Sequence, residues 1–142
     1  MKVLFLDFDG VMHRLNQGHT FTNAPVLWSI LESLSDLNVV ISSSWREHYP
    51  FEKMVKLMTQ GGGEHLANRI VGTTPFGNNT RRGHECLQWL IDHNHQNAKW
   101  LAIDDDPLLF KGLKSHLLKT DPKTGLTKED AKQIIRYFVG DT

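Results

Sequence analysis

The sequence predicts an α/β domain built on a mostly parallel sheet. A continuous apolar run at residues 3–6 indicates a strand that is buried on both faces, as strands of parallel sheets are. Further strand-forming runs alternate with amphipathic helical segments along the chain, which is the pattern of strand–helix–strand units. The length of 142 residues suits one domain, so we expect residues 1–142 to fold as a single unit.

The first half of the chain shows this alternation clearly. Apolar residues at helical spacing predict a helix over 25–34, with Pro25 in its first turn. A β-branched run at 39–42 predicts the second strand. A helix over 51–58 follows Pro50 and ends before a run of three glycines.

The second half continues it with shorter segments. Strands are predicted at residues 69–72, 100–103 and 116–119, and helices at residues 82–92, 108–113 and 127–139. The last helix has the best-defined ends, because Thr127 is an N-cap residue with Asp130 three positions later and Gly140 follows its final turn.

Composition and charge exclude several classes of protein. Lys and Arg number 16 and Asp and Glu number 16, so the net charge of +0 argues against a strongly basic nucleic-acid binder. The single cysteine, Cys86, excludes an intramolecular disulfide framework and favours a reducing, cytoplasmic setting. The apolar N-terminal run ends at Asp7, too early for a signal peptide, and no apolar stretch approaches the roughly 18 residues of a membrane span.

Three predicted strands end in side chains suited to metal and phosphate chemistry. The segments are Asp7-Phe8-Asp9-Gly10, Ser42-Ser43-Ser44 and Asp104-Asp105-Asp106. Ligands bind beyond the carboxyl ends of parallel strands, so we expect these side chains to share one crevice. Clustered carboxylates repel one another, and Mg²⁺ relieves this because it prefers oxygen ligands. One carboxylate could then attack phosphorus while a second moves the proton.

Each segment also has an ordinary structural explanation. An isolated Asp-x-Asp-Gly is usually a turn, a serine triplet often caps a helix, and three aspartates before Pro107 often form a solvated helix cap. Their order, each after an apolar strand, favours the functional interpretation.

The first of these segments closely resembles the first motif of the haloacid dehalogenase (HAD) superfamily of phosphohydrolases, in which four apolar residues precede Asp-x-Asp-Gly. The resemblance implies a Rossmann-like three-layer α/β/α sandwich. It implies that Asp7 is the nucleophile that forms an aspartyl-phosphate and that Asp9 is the general acid/base. The backbone carbonyl of Asp9 would also be a metal ligand.

The second and third motifs of the family concern the phosphoryl group. The string Val-Ile-Ser-Ser-Ser-Trp-Arg resembles the second motif, and we assign Ser43 as its phosphate-binding hydroxyl, with Ser42 as the alternative and Ser44 as an added contact. The third motif is normally a lysine. Here Arg82, with Arg81 as second choice, stands in its place, and arginine can pair with phosphate in a bidentate way.

The fourth motif is an apolar strand that ends in two acids. Asp105 is the preferred direct Mg²⁺ ligand and Asp104 supports it, so the implied metal set is Asp7, Asp9, Asp104 and Asp105; Asp106 is expected to cap the next helix. Ser-Ser-Ser-Trp-Arg, Arg-Gly-His-Glu and Ile-Asp-Asp-Asp together resemble a small HAD subgroup found alone and attached to RNA-repair proteins.

The spacing of the motifs leaves little room for the cap domain that many HAD enzymes carry. Residues 10–38 hold a loop and one helix, and residues 44–81 hold a helix, the glycine run and a short strand. We expect an open site, or one covered only by the loop 13–23. Four residues near its mouth are candidates to stack a base, with ordinary packing as the alternative. They are His13, His19, Phe21 and Trp45.

The leading hypothesis is a Mg²⁺-dependent phosphatase whose substrate is a small phosphate ester, a nucleotide or a nucleic-acid end. The alternative is a non-catalytic HAD-fold module that binds phosphate or a partner, motivated by the arginine at the lysine position and by the missing cap. Receiver-like phosphorylation switches form a third class. The presence of Asp9 two residues after Asp7 favours turnover over both.

Overall fold

A five-stranded parallel sheet forms the centre of the fold. The computed structural model of the chain describes residues 1–15, 18, 20–77 and 80–140. The strands are β1 (Lys2–Leu6), β2 (Leu37–Ile41), β3 (Ile70–Thr73), β4 (Lys99–Asp104) and β5 (Leu117–Lys119). They lie in the order β3-β2-β1-β4-β5, and every neighbouring pair is parallel. The predicted fold class is confirmed.

Helices cover both faces of this sheet. The α-helices are α1 (Ala24–Ser33), α2 (Phe51–Thr59), α3 (Arg82–Asp92) and α4 (Lys128–Val139). Buried side chains of α1, α2 and α4 pack on one face, and those of α3 pack on the other. The result is the three-layer α/β/α sandwich that the family resemblance implied.

The apolar run that predicted β1 supplies both cores, because successive strand side chains point to opposite faces. Leu4 and Leu6 belong to the core beneath α1, α2 and α4, whereas Val3 and Phe5 belong to the core beneath α3. A strand with no solvent-facing side has no polar alternation, which explains its continuous apolar sequence.

Short 3₁₀ helices complete the chain at Ser44–Glu47, Glu64–Arg69, Pro107–Phe110 and Lys114–His116. The helix predicted at 108–113 is wrong in type and extent. It is the 3₁₀ helix Pro107–Phe110, capped by the Asp106 side chain, which accepts from the Leu108 N–H at 3.0 Å. Gly112 then takes φ +83°, a conformation that ends helical winding.

The ends of α4 follow the prediction. The Thr127 hydroxyl accepts from the Asp130 N–H, and the Asp130 carboxylate accepts from the Thr127 N–H, which completes a capping box. Gly140 follows with φ +89°.

Strand register determines where the polar segments meet. Leu6 of β1 is level with Ile41 of β2 and Ile103 of β4. The residues that follow these three strands therefore emerge together at the carboxyl edge of the sheet. Between β1 and α3, helices α1 and α2 pack against the sheet through the core that they share with β1 and β2. Among the described residues, no helix is long and apolar enough to cross a membrane.

Candidate active site

Three carboxylates from two adjacent strands form an acidic cluster, which consists of Asp7, Asp104 and Asp105. Asp7 follows β1, Asp104 is the last residue of β4, and one oxygen from each of the three carboxylates lies within 4.8 Å of the others. Asp104 is completely buried and Asp7 nearly so. Local sequence alone placed these residues at strand ends, and the β1–β4 pairing brings them together.

The Arg82 guanidinium faces the cluster from the first turn of α3. Arg82 Nη1 lies 2.8 Å from Asp104 Oδ2 and 3.5 Å from Asp7 Oδ1. Arg81 is the exposed residue before the helix. Arg82 is therefore the arginine at the crevice. Burial works against its charge, but the Asp7 and Asp104 carboxylates outweigh this and raise the pKa of Arg82.

The cluster holds more negative charge than Arg82 balances. Burial, followed by the negative charge of Asp104, raises the pKa of Asp7 well above its ordinary value, although Arg82 opposes this. Burial and Asp104 likewise raise the pKa of Asp105. Three carboxylates against one guanidinium leave an excess that a cation would neutralise.

The donor set fits Mg²⁺. Two oxygens on opposite sides of a Mg²⁺ ion lie about 4.2 Å apart, twice the usual Mg–O distance. The three oxygens of the cluster all lie within 4.8 Å of one another, a limit less than 1 Å above this separation. Both oxygens of Asp104 already accept hydrogen bonds, from Arg82 at 2.8 Å and from the Asp106 N–H at 3.0 Å. Asp7 and Asp105 therefore have more free ligand capacity, and the assignment of Asp105 as the direct ligand with Asp104 in support stays a prediction.

Gly10 makes room for Asp105. It has φ +77°, and a Cβ at this position would lie 2.3 Å from Asp105 Oδ2. Both the backbone conformation and the approach of the carboxylate require glycine here. The glycine of the Asp-x-Asp-Gly segment is thus needed for the turn and for the close approach of the Asp105 carboxylate.

Asp9 lies apart from the acidic cluster. Its Oδ1 is 2.7 Å from His13 Nε2, and its Oδ2 accepts from Trp45 Nε1 at 3.1 Å. The Asp9 carboxylate is engaged by these two donors. The expectation that Asp9 binds the metal through its backbone carbonyl stays a prediction.

The three serines have different surroundings. The Ser43 hydroxyl accepts from the Trp45 N–H at 3.2 Å and caps the 3₁₀ helix Ser44–Glu47. Ser42 donates its N–H to the Leu6 carbonyl at 2.9 Å, which places it beside Asp7, and its buried hydroxyl has no partner among the described residues. Ser44 is exposed. The preference for Ser43 as phosphate ligand stays a prediction, and the free hydroxyl strengthens the alternative, Ser42.

A buried ion pair is hydrogen-bonded to the serine segment, and the sequence analysis did not predict it. Arg46 donates to the carbonyls of Ser42 at 3.1 Å and Ser43 at 2.8 Å, and its Nη2 lies 2.8 Å from Glu85 Oε1 on α3. Glu85 also accepts from Thr80 at 2.8 Å. The only sequence signal was an arginine directly after the serine-tryptophan string.

Two features lie next to the described residues of the site. A cleft of about 500 Å³ lies beside Arg82 and is rimmed by Phe76, which is 56% exposed. On another side stand the half-buried Trp45 and Tyr49, which is 38% exposed. The proposed stacking role is wrong for His13 and Phe21, because both are buried in the core. His19 lies outside the described residues.

The chain matches a known family. A family model described as the HAD domain in Swiss Army Knife RNA repair proteins covers residues 3–131. No curated protein and no solved structure matches with comparable significance.

Proposed function

Because the chain belongs to this HAD family, we propose that it is a Mg²⁺-dependent phosphohydrolase that works through an aspartyl-phosphate on Asp7. The observation that carries the proposal is the acidic cluster with Arg82 at the carboxyl ends of β1 and β4. A purely structural site gains nothing from three converging carboxylates, since each must be desolvated against its neighbours.

Asp7 is the proposed nucleophile. Its carboxylate oxygen attacks phosphorus, the bond from phosphorus to the ester oxygen breaks, and the phosphoryl group is transferred to Asp7. Arg82, 3.5 Å from Asp7, pairs with the phosphoryl oxygens as charge builds on them. Mg²⁺, held by Asp7 and Asp105 with support from Asp104 and the Asp9 carbonyl, would supply the positive charge that lets two anions approach.

Asp9 is the proposed general acid/base. In the first step it gives a proton to the departing ester oxygen, and in the second it takes a proton from the water that attacks the aspartyl-phosphate. Its side chain is 47% exposed, so it can face a substrate that enters from solvent. Products are the alcohol and inorganic phosphate, and Asp7 is regenerated.

We propose a nucleotide or a phosphorylated nucleic-acid end as the substrate. The matched family is described from RNA repair proteins. The side chains of Tyr49 and Phe76 are exposed, and aromatic rings are platforms on which a base can stack. The net charge of +0 favours recognition of an end over a long polyanionic tract.

The test is hydrolysis with Mg²⁺ of p-nitrophenyl phosphate, a nucleotide panel, and oligonucleotides phosphorylated at the 3′ or the 5′ end. Wild type should release phosphate, and Asp7→Asn should not. Asp36→Asn is the matched control, because this carboxylate pairs with Lys2 on the surface and its loss should leave turnover intact. Wild type that is as inactive as Asp7→Asn on every substrate would refute the proposal.

A non-catalytic phosphate-binding module is the second candidate. Titration calorimetry with Mg²⁺ and a phosphorylated oligonucleotide, run beside the turnover assay, separates the two. Binding without turnover supports the module, and binding with turnover supports the enzyme.

A further inference from the structure

We propose that His13 is the positioning residue for the general acid, and that the fold permits only the tautomer in which its Nε2–H holds the Asp9 carboxylate. This inference rests on the proposed function, because it assigns a partner to the residue that protonates the leaving group. His13 acts through Asp9, the residue that its ring contacts.

The tautomer follows from the two neighbours of the ring. The Phe21 backbone N–H points to His13 Nδ1 at 3.2 Å, and a backbone N–H can only donate. Nδ1 must therefore carry a lone pair, which leaves the ring proton on Nε2. That nitrogen is 2.7 Å from Asp9 Oδ1, so the proton is donated to the carboxylate.

The backbone of Phe21 adopts an unusual conformation where its N–H meets the His13 ring. Phe21 has φ +59°, a conformation that non-glycine residues seldom adopt, and its amide is the one that meets His13. The His13 side chain is 4% exposed, and its ring packs edge-on against Phe21 at 5.4 Å between centroids. A ring enclosed in this way has little freedom to leave Asp9.

Residues elsewhere in the chain also donate hydrogen bonds to the loop that joins Asp9 to His13. The Thr120 hydroxyl donates to the Gly10 carbonyl at 2.7 Å, the Leu126 N–H donates to the Val11 carbonyl at 2.7 Å, and the Asn23 N–H donates to the Met12 carbonyl at 2.9 Å. His13 thus has a fixed base from which to orient the carboxylate.

Trp45 is the second hydrogen-bond donor to the Asp9 carboxylate. Its Nε1–H donates to Asp9 Oδ2 at 3.1 Å, so each carboxylate oxygen has one N–H donor. The orientation of Asp9 is therefore set by His13 and Trp45, independently of the acidic cluster. A displacement of about 1 Å in a reacting group can cost on the order of 100-fold in rate, which is the effect we assign to this contact.

Leaving-group dependence tests the proposal. p-Nitrophenolate departs without a proton, whereas an alkoxide needs one, so a misplaced general acid harms an alkyl phosphate far more. For His13→Phe, which keeps a ring but loses both hydrogen bonds, we expect kcat/KM to fall about 100-fold for an alkyl phosphate and less than about tenfold for p-nitrophenyl phosphate. His13→Gln can place an amide N–H near the Nε2 position and should restore the alkyl phosphate rate to within about tenfold of wild type.

The control is Val11→Ala, a buried change in the same loop that leaves the Asp9 contacts in place. It should lower stability and leave the ratio of the two kcat/KM values unchanged. If His13→Phe lowers both rates equally, or His13→Gln restores nothing, His13 has only a structural role and the inference is wrong.

A measurement without substrate or metal checks the same claim. Long-range ¹H–¹⁵N correlation spectra of wild type should show the His13 ring as the neutral Nε2–H tautomer; an Nδ1–H tautomer or an imidazolium would overturn the inference. Wild type that hydrolyses neither ester would refute the proposed function and the acid-positioning role with it. Activity with the wrong tautomer would refute the His13 inference alone.

Discussion

Replacing Asp7 with asparagine should stabilise the metal-free protein while it abolishes turnover. The Asp7 oxygen lies within 4.8 Å of oxygens of Asp104 and Asp105. At an effective dielectric constant of about 20, each repulsion at that distance costs at least about 3.5 kcal/mol, or about 7 kcal/mol for the pair. The attraction between Asp7 and Arg82 at 3.5 Å offsets about 4.7 kcal/mol of this repulsion. Neutralising Asp7 should therefore stabilise the fold by about 2 kcal/mol.

Thermal unfolding in EDTA measures this effect. For a chain of this length, about 2 kcal/mol corresponds to a rise in Tm of about 6–10 °C. Mg²⁺ should raise the Tm of wild type, because an ion that binds only the folded state stabilises it by mass action. The Mg²⁺-induced rise should be smaller in Asp7→Asn, since one ligand and one charge are gone.

Asp36→Asn separates this local effect from a general loss of negative charge. Its carboxylate lies outside the crevice, paired with Lys2 at 3.1 Å, and its removal should not raise Tm. An Asp7→Asn variant that is less stable than wild type in EDTA would show that Asp7 is well compensated. The electrostatic reasoning would then fail, whether or not the protein is an enzyme.

Three further predictions concern glycine conformation, the pH dependence of the acidic cluster and the buried Arg46–Glu85 pair. Gly112→Ala should cost about 1–2 kcal/mol for its left-handed backbone alone. Gly10→Ala should cost more and should also abolish the Mg²⁺-induced rise in Tm, because its Cβ would displace a carboxylate of the acidic cluster; equal losses in the two variants would contradict this. The raised pKa values of the acidic cluster mean that the folded state binds protons more tightly than the unfolded state. The contribution of the acidic cluster to metal-free stability should therefore fall as the pH rises from the ordinary aspartate pKa of 3.8 through the raised pKa values. Because the ionised cluster binds Mg²⁺ and the protonated one does not, the Mg²⁺-induced rise in Tm should be larger near pH 7 than near pH 5. Glu85→Ala should cost about 3–5 kcal/mol in chemical denaturation by leaving Arg46 buried and unpaired, whereas Glu85→Gln, which can still accept a hydrogen bond, should cost less.

Much of the fold could be predicted from local sequence. The apolar runs at 3–6 and 100–103 lie within β1 and β4, and the predicted helix over 82–92 matches α3 at both ends. These segments are strongly patterned because each is buried along its length or along one face. The helix at 108–113 was mispredicted because a short apolar run cannot distinguish an α-helix from a 3₁₀ turn.

The position of the candidate site could be predicted for a similar reason. In a parallel sheet every strand ends at the same edge, so residues after β1, β2 and β4 must emerge near one another. The acidic cluster and its position required no knowledge of side-chain contacts, only that these strands are neighbours.

The sequence by itself thus determined the α/β architecture, the edge at which the chemistry lies and the residue types gathered there. The tertiary structure alone decided which distant groups pair: Arg82 with Asp104 across 22 positions, Arg46 with Glu85 across 39, and Asp9 with Trp45 across 36. The physical reason is the sequence separation over which each feature is determined. Strand and helix patterns repeat over a few residues and are written locally, whereas a hydrogen bond between distant segments depends on the packing of several elements to within a fraction of an ångström.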